Sequence, residues 1–173
     1  MIVVLMGVSG VGKTTIGKLL AARKGWDFED ADDYHSEENR RKMAAGIPLT
    51  DADRNPWLNA VHERMLQYQQ QSEHAIFACS ALKQQYRELL TAGFANDIRF
   101  VYLHAPADLI KERMNSRHHP YMSPDLLDSQ LATLEPPSDA WSVSVAGSPH
   151  EAIEQILFQL REAGVLTRAA EKQ

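Results

Sequence analysis

The feature that most constrains this chain is the stretch GVSGVGKT, residues 7–14, which matches G-x-x-x-x-G-K-[ST] at every fixed position. It follows the apolar, β-branched run Ile2–Met6, which is typical of a buried parallel strand. It precedes a stretch with helical spacing of apolar residues that ends at Gly25. A phosphate-binding loop in this strand–loop–helix context predicts a protein that binds a nucleoside triphosphate with Mg²⁺.

The residue types of the loop suit that chemistry. The glycines allow the backbone to curl so that its N–H groups face the phosphates. We expect Lys13 to bridge the terminal phosphates as a catalytic residue, and the Thr14 hydroxyl to hold Mg²⁺. The predicted nucleotide contacts in the loop are Gly7, Val8, Ser9, Gly10, Val11, Gly12, Lys13, Thr14 and Thr15.

Strand-like and helix-like patterns alternate along the rest of the chain. The predicted strands after the first are residues 26–30, 74–80, 98–103 and 141–145. The predicted helices after the first are residues 35–45, 56–71, 83–91 and 106–117, one from Pro124 and one from Pro149. This alternation predicts an α/β fold in which helices cover both faces of a mostly parallel sheet. The 173 residues suit a single domain, with a frayed tail at 168–173.

Composition excludes several classes of partner. The net charge is −5 and there is no long basic run, so nucleic acid is not expected as the main partner. No apolar run is long enough to cross a bilayer. The lone cysteine, Cys79, cannot form an internal disulfide, which favours a reducing cytoplasm.

Other features favour a small-molecule kinase among the proteins that carry this loop. There is no Asn-Lys-x-Asp run of the kind that reads guanine, and the third strand runs into SALK without the acid of a motor protein. Asp30 and Asp32 follow the second strand, and strand alternation predicts that both carboxylates face the cleft. We expect Asp32 to act as the base for the acceptor hydroxyl and Asp30 to organise the metal. The alternative is that these acids only stabilise a turn.

Four segments together resemble the gluconokinase family of P-loop kinases. They are LMGVSGVGKT at 5–14, DADDYH at 30–35, NRRKMAAGIPLTDADRNPWL at 39–58 and CSALKQQYR at 79–87. The resemblance implies a P-loop kinase fold with a five-stranded parallel sheet and a short lid. It also implies ATP-dependent phosphorylation of D-gluconate at its 6-hydroxyl, and a cytoplasmic protein that is often a homodimer. The chain departs from the family at Ser36, where many relatives have proline, and in the lid, where Pro120 accompanies one extra residue.

The resemblance implies that gluconate is the ligand of the remaining charged residues. A carboxylate is best held by the fork of an arginine, so Arg54 is the first candidate for the gluconate carboxylate and Arg87 the second. His35 and Asp32 are expected to meet hydroxyls, and Lys83 to reach the cleft. The alternatives are that Arg54 pairs with a neighbouring aspartate, and that Lys83 and Arg87 form one solvated helix face.

Arg113 and Arg117 lie four residues apart and therefore on one helix face. They precede the His- and Pro-rich segment 117–124, which we predict to be the lid. Similar kinases use lid arginines on the nucleotide phosphates, so both are expected to bind ATP, with Arg117 catalytic. Two other functions remain open from the sequence: a kinase for another small hydroxy acid such as shikimate, and a nucleotide-gated regulatory protein without turnover.

Overall fold

The computed structural model describes residues 1–95, 97–116 and 124–165. Most of the predicted lid, 117–124, and the predicted tail, 168–173, therefore lie outside the described residues. The strands are β1 (Ile2–Met6), β2 (Asp27–Asp30), β3 (Ala75–Ala78), β4 (Ile98–His104) and β5 (Trp141–Ser144). The helices are α1 (Lys13–Lys24), α2 (Glu37–Ala44), α3 (Asp51–Gln70), α4 (Gln84–Thr91), α5 (Ala107–Ser116), α6 (Pro124–Thr133) and α7 (Pro149–Glu162).

The five strands form one parallel sheet in the order β2-β3-β1-β4-β5. The predicted α/β fold with a five-stranded parallel sheet is therefore confirmed. β1 lies at the centre, and the loop that leaves it emerges at the carboxyl edge of the sheet. Ligands of open α/β sheets bind at this edge.

Both faces of the sheet are covered by apolar side chains, as alternation along β1 requires. Val3 and Leu5 point into one layer, which helices α1, α5, α6 and α7 complete. Val4 and Met6 point into the other layer, which is closed by α3 and α4. The central strand is thus buried on both sides, which holds the loop after it in a rigid frame.

Two local predictions were wrong. α3 begins at Asp51 and not at Pro56, because Thr50 and Asp53 form a reciprocal capping box that starts the helix earlier. Asp32 does not continue the second strand, since β2 ends at Asp30 and residues Ala31–Tyr34 form a short 3₁₀ helix. Strand alternation therefore does not explain how Asp30 and Asp32 come together.

Two smaller features concern single side chains. Ser36, which replaces the proline of many relatives, caps α2 by accepting a 3.1 Å hydrogen bond from the Asn39 N–H. Cys79 is buried directly after β3, and burial raises the pKa of its thiol to about 12, so it behaves as a small apolar side chain.

Candidate active site

The phosphate loop leaves β1 through a backbone conformation that only glycine tolerates. Gly7 has φ 136°, and a Cβ at this position would lie 2.5 Å from the carbonyl oxygen of Leu103 on β4. α1 then begins at Lys13, so the positive end of the helix dipole faces the loop. The Lys13 ammonium donates hydrogen bonds to the Gly7 and Val8 carbonyl oxygens, at 2.9 and 3.0 Å. These contacts place the cationic group at the mouth of the loop.

Asp30 accepts hydrogen bonds from the first turn of α1 and from the 3₁₀ helix, the two segments beside the predicted metal site. One carboxylate oxygen accepts a 2.8 Å hydrogen bond from the Thr14 hydroxyl, and the other accepts a 3.2 Å bond from the Asp32 N–H. Because the Thr14 hydroxyl gives its hydrogen to Asp30, its oxygen lone pairs remain for a cation. The pair fits Mg²⁺ with Thr14 as a direct ligand and Asp30 behind it. The structure describes no cluster of three or more His, Cys, Asp or Glu side chains that could hold a metal by itself.

Asp32 projects from the 3₁₀ helix toward the phosphate loop. The pKa of its carboxyl group is raised, by partial burial first, although the nearby Lys13 ammonium opposes this shift. Since 73% of the Asp32 side chain is open to solvent, we take the carboxylate to be ionised at neutral pH. Burial in turn lowers the pKa of Lys13, which the charge of Asp32 partly offsets. The Asp32 carboxylate, which can accept a proton, thus lies near the Lys13 ammonium, which can bind a phosphate group.

His35 forms the next part of the wall and is neutral. Its ring stacks on the Trp57 indole at 4.2 Å between centroids, and the indole N–H donates a 2.6 Å hydrogen bond to the Ala31 carbonyl oxygen. Burial, followed by the charges of Arg40 and Arg54, lowers the pKa of His35 to about 4. α3 therefore holds both the ring and the 3₁₀ helix that carries Asp32.

Arg54 faces the same cavity from the first turns of α3. Its guanidinium donates to the Leu49 carbonyl oxygen and, at 3.4 Å, to the Tyr86 hydroxyl, with its centre 5.7 Å from the Tyr86 ring centroid. The two aspartates that precede Arg54 have other partners: Asp51 binds Lys83 and Asp53 binds Lys42. Within the described ranges no carboxylate forms an ion pair with Arg54. The positive charge of Arg54 is therefore available to a ligand in the cavity.

One cavity collects five of the predicted site residues: Lys13, Asp32, His35, Arg54 and Ser9, the last of which was predicted as a nucleotide contact. The other lining residues, which the sequence analysis did not single out, are Met43, Leu49, Trp57, Ser80, Leu82, Leu126, Ser129 and Gln130. Among these, Gln130 of α6 contacts the loop directly. Its side-chain oxygen accepts a 2.7 Å bond from the Ser9 N–H, and its amide donates to the Ser9 hydroxyl at 3.1 Å.

A second cavity, of about 140 Å³, lies on the other side of the phosphate loop. Its lining comprises Gly10, Val11, Gly12, Thr15, Ile16, Arg113, Val145, Gly147 and Pro149. Arg113 crosses from α5 and donates a 2.7 Å hydrogen bond to the Val145 carbonyl oxygen just after β5. This cavity brings Arg113 together with the loop glycines, as expected of a nucleotide site.

Two predicted substrate residues lie elsewhere. Lys83 does not line the cavity of Lys13 and Arg54, because its ammonium is held 3.0 Å from an Asp51 carboxylate oxygen. Arg87 is buried on α4, where its guanidinium donates to the carbonyl oxygens of Ala81 and Leu82. It holds the loop after β3 rather than facing the cleft. Arg117 lies outside the described residues.

The fold, the phosphate loop and the adjoining two cavities define a P-loop kinase that acts on a small molecule. The family model for shikimate kinase matches residues 9–142. The chain is 45% identical over 152 residues to a probable gluconokinase of Xenopus tropicalis, covering 80% of each chain. It is 44% identical over 148 residues to a gluconokinase of Gluconobacter oxydans, covering 85% of this chain and 83% of the relative.

Solved structures agree with these relatives. A gluconokinase from Sinorhizobium meliloti superposes with a TM-score of 0.84 at 40% identity, covering 93% of this chain and 91% of that one. The chain belongs to the gluconokinase family. No described helix has the length and apolar character needed to span a membrane.

Proposed function

We propose that this protein transfers the γ-phosphoryl group of ATP to the 6-hydroxyl of D-gluconate, giving 6-phospho-D-gluconate and ADP. The observation that carries the proposal is the single cavity in which Lys13 of the phosphate loop meets Asp32, His35 and Arg54. In this cavity Lys13 can stabilise the phosphoryl group and Asp32 can accept the hydroxyl proton. Arg54 can bind the carboxylate of an acidic substrate. Relatives named gluconokinase at 37–45% identity support gluconate as that acid.

The charges of the cavity match the two ends of an aldonic acid. Gluconate carries a carboxylate at one end and a primary hydroxyl at the other. The Arg54 guanidinium, which no described carboxylate neutralises, can bind the carboxylate as a bidentate fork. The hydroxyl end then lies toward Lys13 and Asp32, where transfer occurs. The neutral His35 ring lines the cavity between them, where it is proposed to contact the hydroxyls of gluconate.

Transfer in this arrangement is a balanced in-line displacement. Asp32 takes the proton of the 6-hydroxyl as the hydroxyl oxygen forms its bond to the γ-phosphorus. The bond from the γ-phosphorus to the β–γ bridging oxygen breaks, and its electron pair leaves with ADP. Lys13 stabilises the charge on the transferring oxygens. Mg²⁺, when bound, supplies further positive charge at the phosphates, with Thr14 and Asp30 as the residues that would hold it.

The residues that bind ATP are also proposed from the cavity that they line. The loop residues 7–15 and Arg113 are proposed to bind ATP, since they line or adjoin the second cavity. Arg117 is proposed to reach the nucleotide phosphates from the lid at 117–124, as the resemblance implies. We further propose one kinase domain, a cytoplasmic location, which the lone buried thiol of Cys79 suits, and a homodimer, which is typical of the family.

The two alternative functions receive less support. A shikimate-like acceptor is not favoured, because the relatives at 37–45% identity are named gluconokinase. Two solved shikimate kinases that match are only 15% and 19% identical and share the fold alone. A silent regulatory protein is not favoured either, since Lys13, Thr14 and Asp32, the residues proposed to support turnover, are all present.

The test is ADP release with ATP and Mg²⁺ against gluconate, other aldonates, shikimate, glucose and nucleoside monophosphates. We expect turnover with gluconate and little with glucose, because glucose would leave the Arg54 charge unpaired in a closed cleft. No turnover with any acceptor, while ATP still binds, would contradict the proposal.

A pair of arginine variants sharpens the test. A charge-assisted hydrogen bond is worth roughly 1.5–3 kcal/mol, so Arg54→Met should raise the KM for gluconate roughly 10- to 150-fold. The KM for ATP should stay unchanged, since the nucleotide cavity has separate walls. Arg41→Met is the matched control, because Arg41 is exposed on α2 and pairs only with Glu37 among the described contacts.

A further inference from the structure

Asn39 is a buried polar residue that the reaction itself does not use. Only 5% of its surface is exposed, on the face of α2 that packs against α3. One side-chain atom lies 2.9 Å from the Asp53 carbonyl oxygen. Because a carbonyl oxygen can only accept, that atom must be the amide nitrogen, and the orientation of the Asn39 amide is thereby assigned.

The same amide nitrogen lies 3.4 Å from Nδ1 of His35. Its second hydrogen is free for this contact, so Nδ1 must present a lone pair. A proton on Nδ1 would instead set two donors against each other inside the protein. The His35 ring has no room to turn away, since it is 7% exposed and stacked on Trp57. A neutral ring with a lone pair on Nδ1 carries its proton on Nε2.

Nε2 of His35 is directed at the catalytic side. It lies 3.8 Å from one carboxylate oxygen of Asp32, just beyond hydrogen-bond distance, and the Asp32 side chain is exposed enough to close the gap. The charged groups that face the ring are Asp32 from the 3₁₀ helix, Arg40 from α2 and Arg54 from α3. The two arginines oppose a second proton on the ring, while Asp32 favours one.

We propose that Asn39 is a positioning residue that fixes His35 as the neutral Nε2–H tautomer, so that His35 donates its one hydrogen bond toward Asp32. One oxygen of Asp32 is then held by His35, and the other is left for the hydroxyl proton. His35 cannot itself take that proton, because its only lone pair is occupied by Asn39. This catalytic consequence rests on the proposed function, whereas the tautomer does not.

The tautomer can be measured on the full chain by long-range ¹H–¹⁵N correlation of the imidazole rings, with the His35 signals assigned by their loss in His35→Gln. We expect Nε2 of His35 to be protonated and Nδ1 to be of the lone-pair type. His62 is an internal contrast, since its Nδ1 lies 3.1 Å from the Leu90 carbonyl oxygen and must carry a proton. Protonation of His35 on Nδ1 would overturn the proposal, whether or not gluconate is the acceptor.

The variant Asn39→Asp tests whether Asn39 determines the tautomer of His35. A carboxylate can only accept, so it should draw a proton onto Nδ1 of His35 and raise the pKa of the ring. With gluconate, kcat should fall about tenfold or more and the acid limb of the pH profile should move to higher pH, with the KM for ATP unchanged. Asn59→Asp, on the exposed side of α3, is the control for the added charge. An Asn39→Asp protein that keeps the wild-type tautomer and pH profile contradicts the proposal. If this variant does not fold, the wild-type spectrum alone decides.

Discussion

The Thr14 hydroxyl donates a 2.8 Å hydrogen bond to the Asp30 carboxylate, which joins the first turn of α1 to the end of β2. The bond thus links β2 to the helix that follows β1, although β3 lies between β1 and β2 in the sheet. Because the Thr14 hydroxyl donates its hydrogen to Asp30, its lone pairs remain for a cation. This pair is the one proposed above to hold Mg²⁺, with Thr14 as the ligand and Asp30 as its support.

This arrangement predicts a defect that depends on Mg²⁺. Thr14→Val keeps the shape of the side chain but removes the oxygen, so kcat should fall about 100-fold or more and the Mg²⁺ needed for half-maximal rate should rise. Thr14→Ser keeps the hydroxyl and should lie within a few-fold of wild type. The measurement is ADP release titrated with Mg²⁺. Equal Mg²⁺ dependence in Thr14→Val and wild type would show that Thr14 is not a ligand.

Asp32 is predicted to be required for turnover but not for nucleotide binding. Asp32→Asn removes the proton acceptor, and loss of such a base costs roughly 10²- to 10⁴-fold in rate. Asp33→Asn, one residue further along the same 3₁₀ helix, should keep nearly full activity. The comparison needs kcat with gluconate and calorimetric binding of ATP for both variants. Substantial turnover by Asp32→Asn would remove Asp32 as the base.

The low pKa of His35 predicts that the folded protein loses stability at moderately acidic pH. Its pKa is about 4 in the folded protein and near 6.5 when unfolded, so between these values the unfolded chain binds more protons. Stability from this residue is therefore complete above pH 6.5 and lost as the pH falls toward 4, by up to about 3 kcal/mol. Urea unfolding at several pH values measures the effect.

The control for this prediction is the difference between two proteins. His35→Gln cannot titrate in this range, so its free energy of unfolding should depend less steeply on pH between 6.5 and 4. The pKa of His74 is also lowered, by burial first, but this contribution is common to both proteins and cancels. Parallel pH curves for the two proteins would mean that His35 is not the group that titrates.

The capping box at the start of α3 predicts a stability effect close to the site. Thr50→Ala removes the acceptor for the Asp53 N–H, which should cost about 1 kcal/mol in the free energy of unfolding. Thr50→Ser retains the cap and should be nearly neutral. The urea midpoint of each variant measures this. An unchanged midpoint in Thr50→Ala would show that tertiary packing alone starts the helix at this point.

The elements that sequence patterns predicted well are those with strong local signals. The phosphate loop has a fixed spacing, and β1 is apolar on both faces, so the central strand, the loop and α1 were predicted without tertiary information. The start of α3 was missed because Pro56 is a familiar first-turn signal, whereas Thr50 and Asp53 form a weaker variant of the usual capping box, with aspartate in place of glutamate.

The site was predicted in part, for physical reasons that differ between residues. Arg54 and His35 were singled out by the family block and lie in the cavity. Arg87 was expected in the cleft or in solvent, but α4 turns it inward to bind backbone carbonyls, and helical spacing cannot distinguish these outcomes. The contact between Ser9 and Gln130 spans 121 residues, so only the assembled fold brings the two together.

The two cavities beside the phosphate loop have no lining residue in common, although both take part of their walls from the loop. Six of the thirteen residues that line the cavity of Lys13 and Arg54 come from one continuous segment, residues 32–57, which contributes nothing to the second cavity. We therefore expect much of the choice of acceptor to depend on this one segment. Exchange of residues 32–57 for the corresponding segment of a related kinase should change the acceptor and leave the walls of the second cavity as they are.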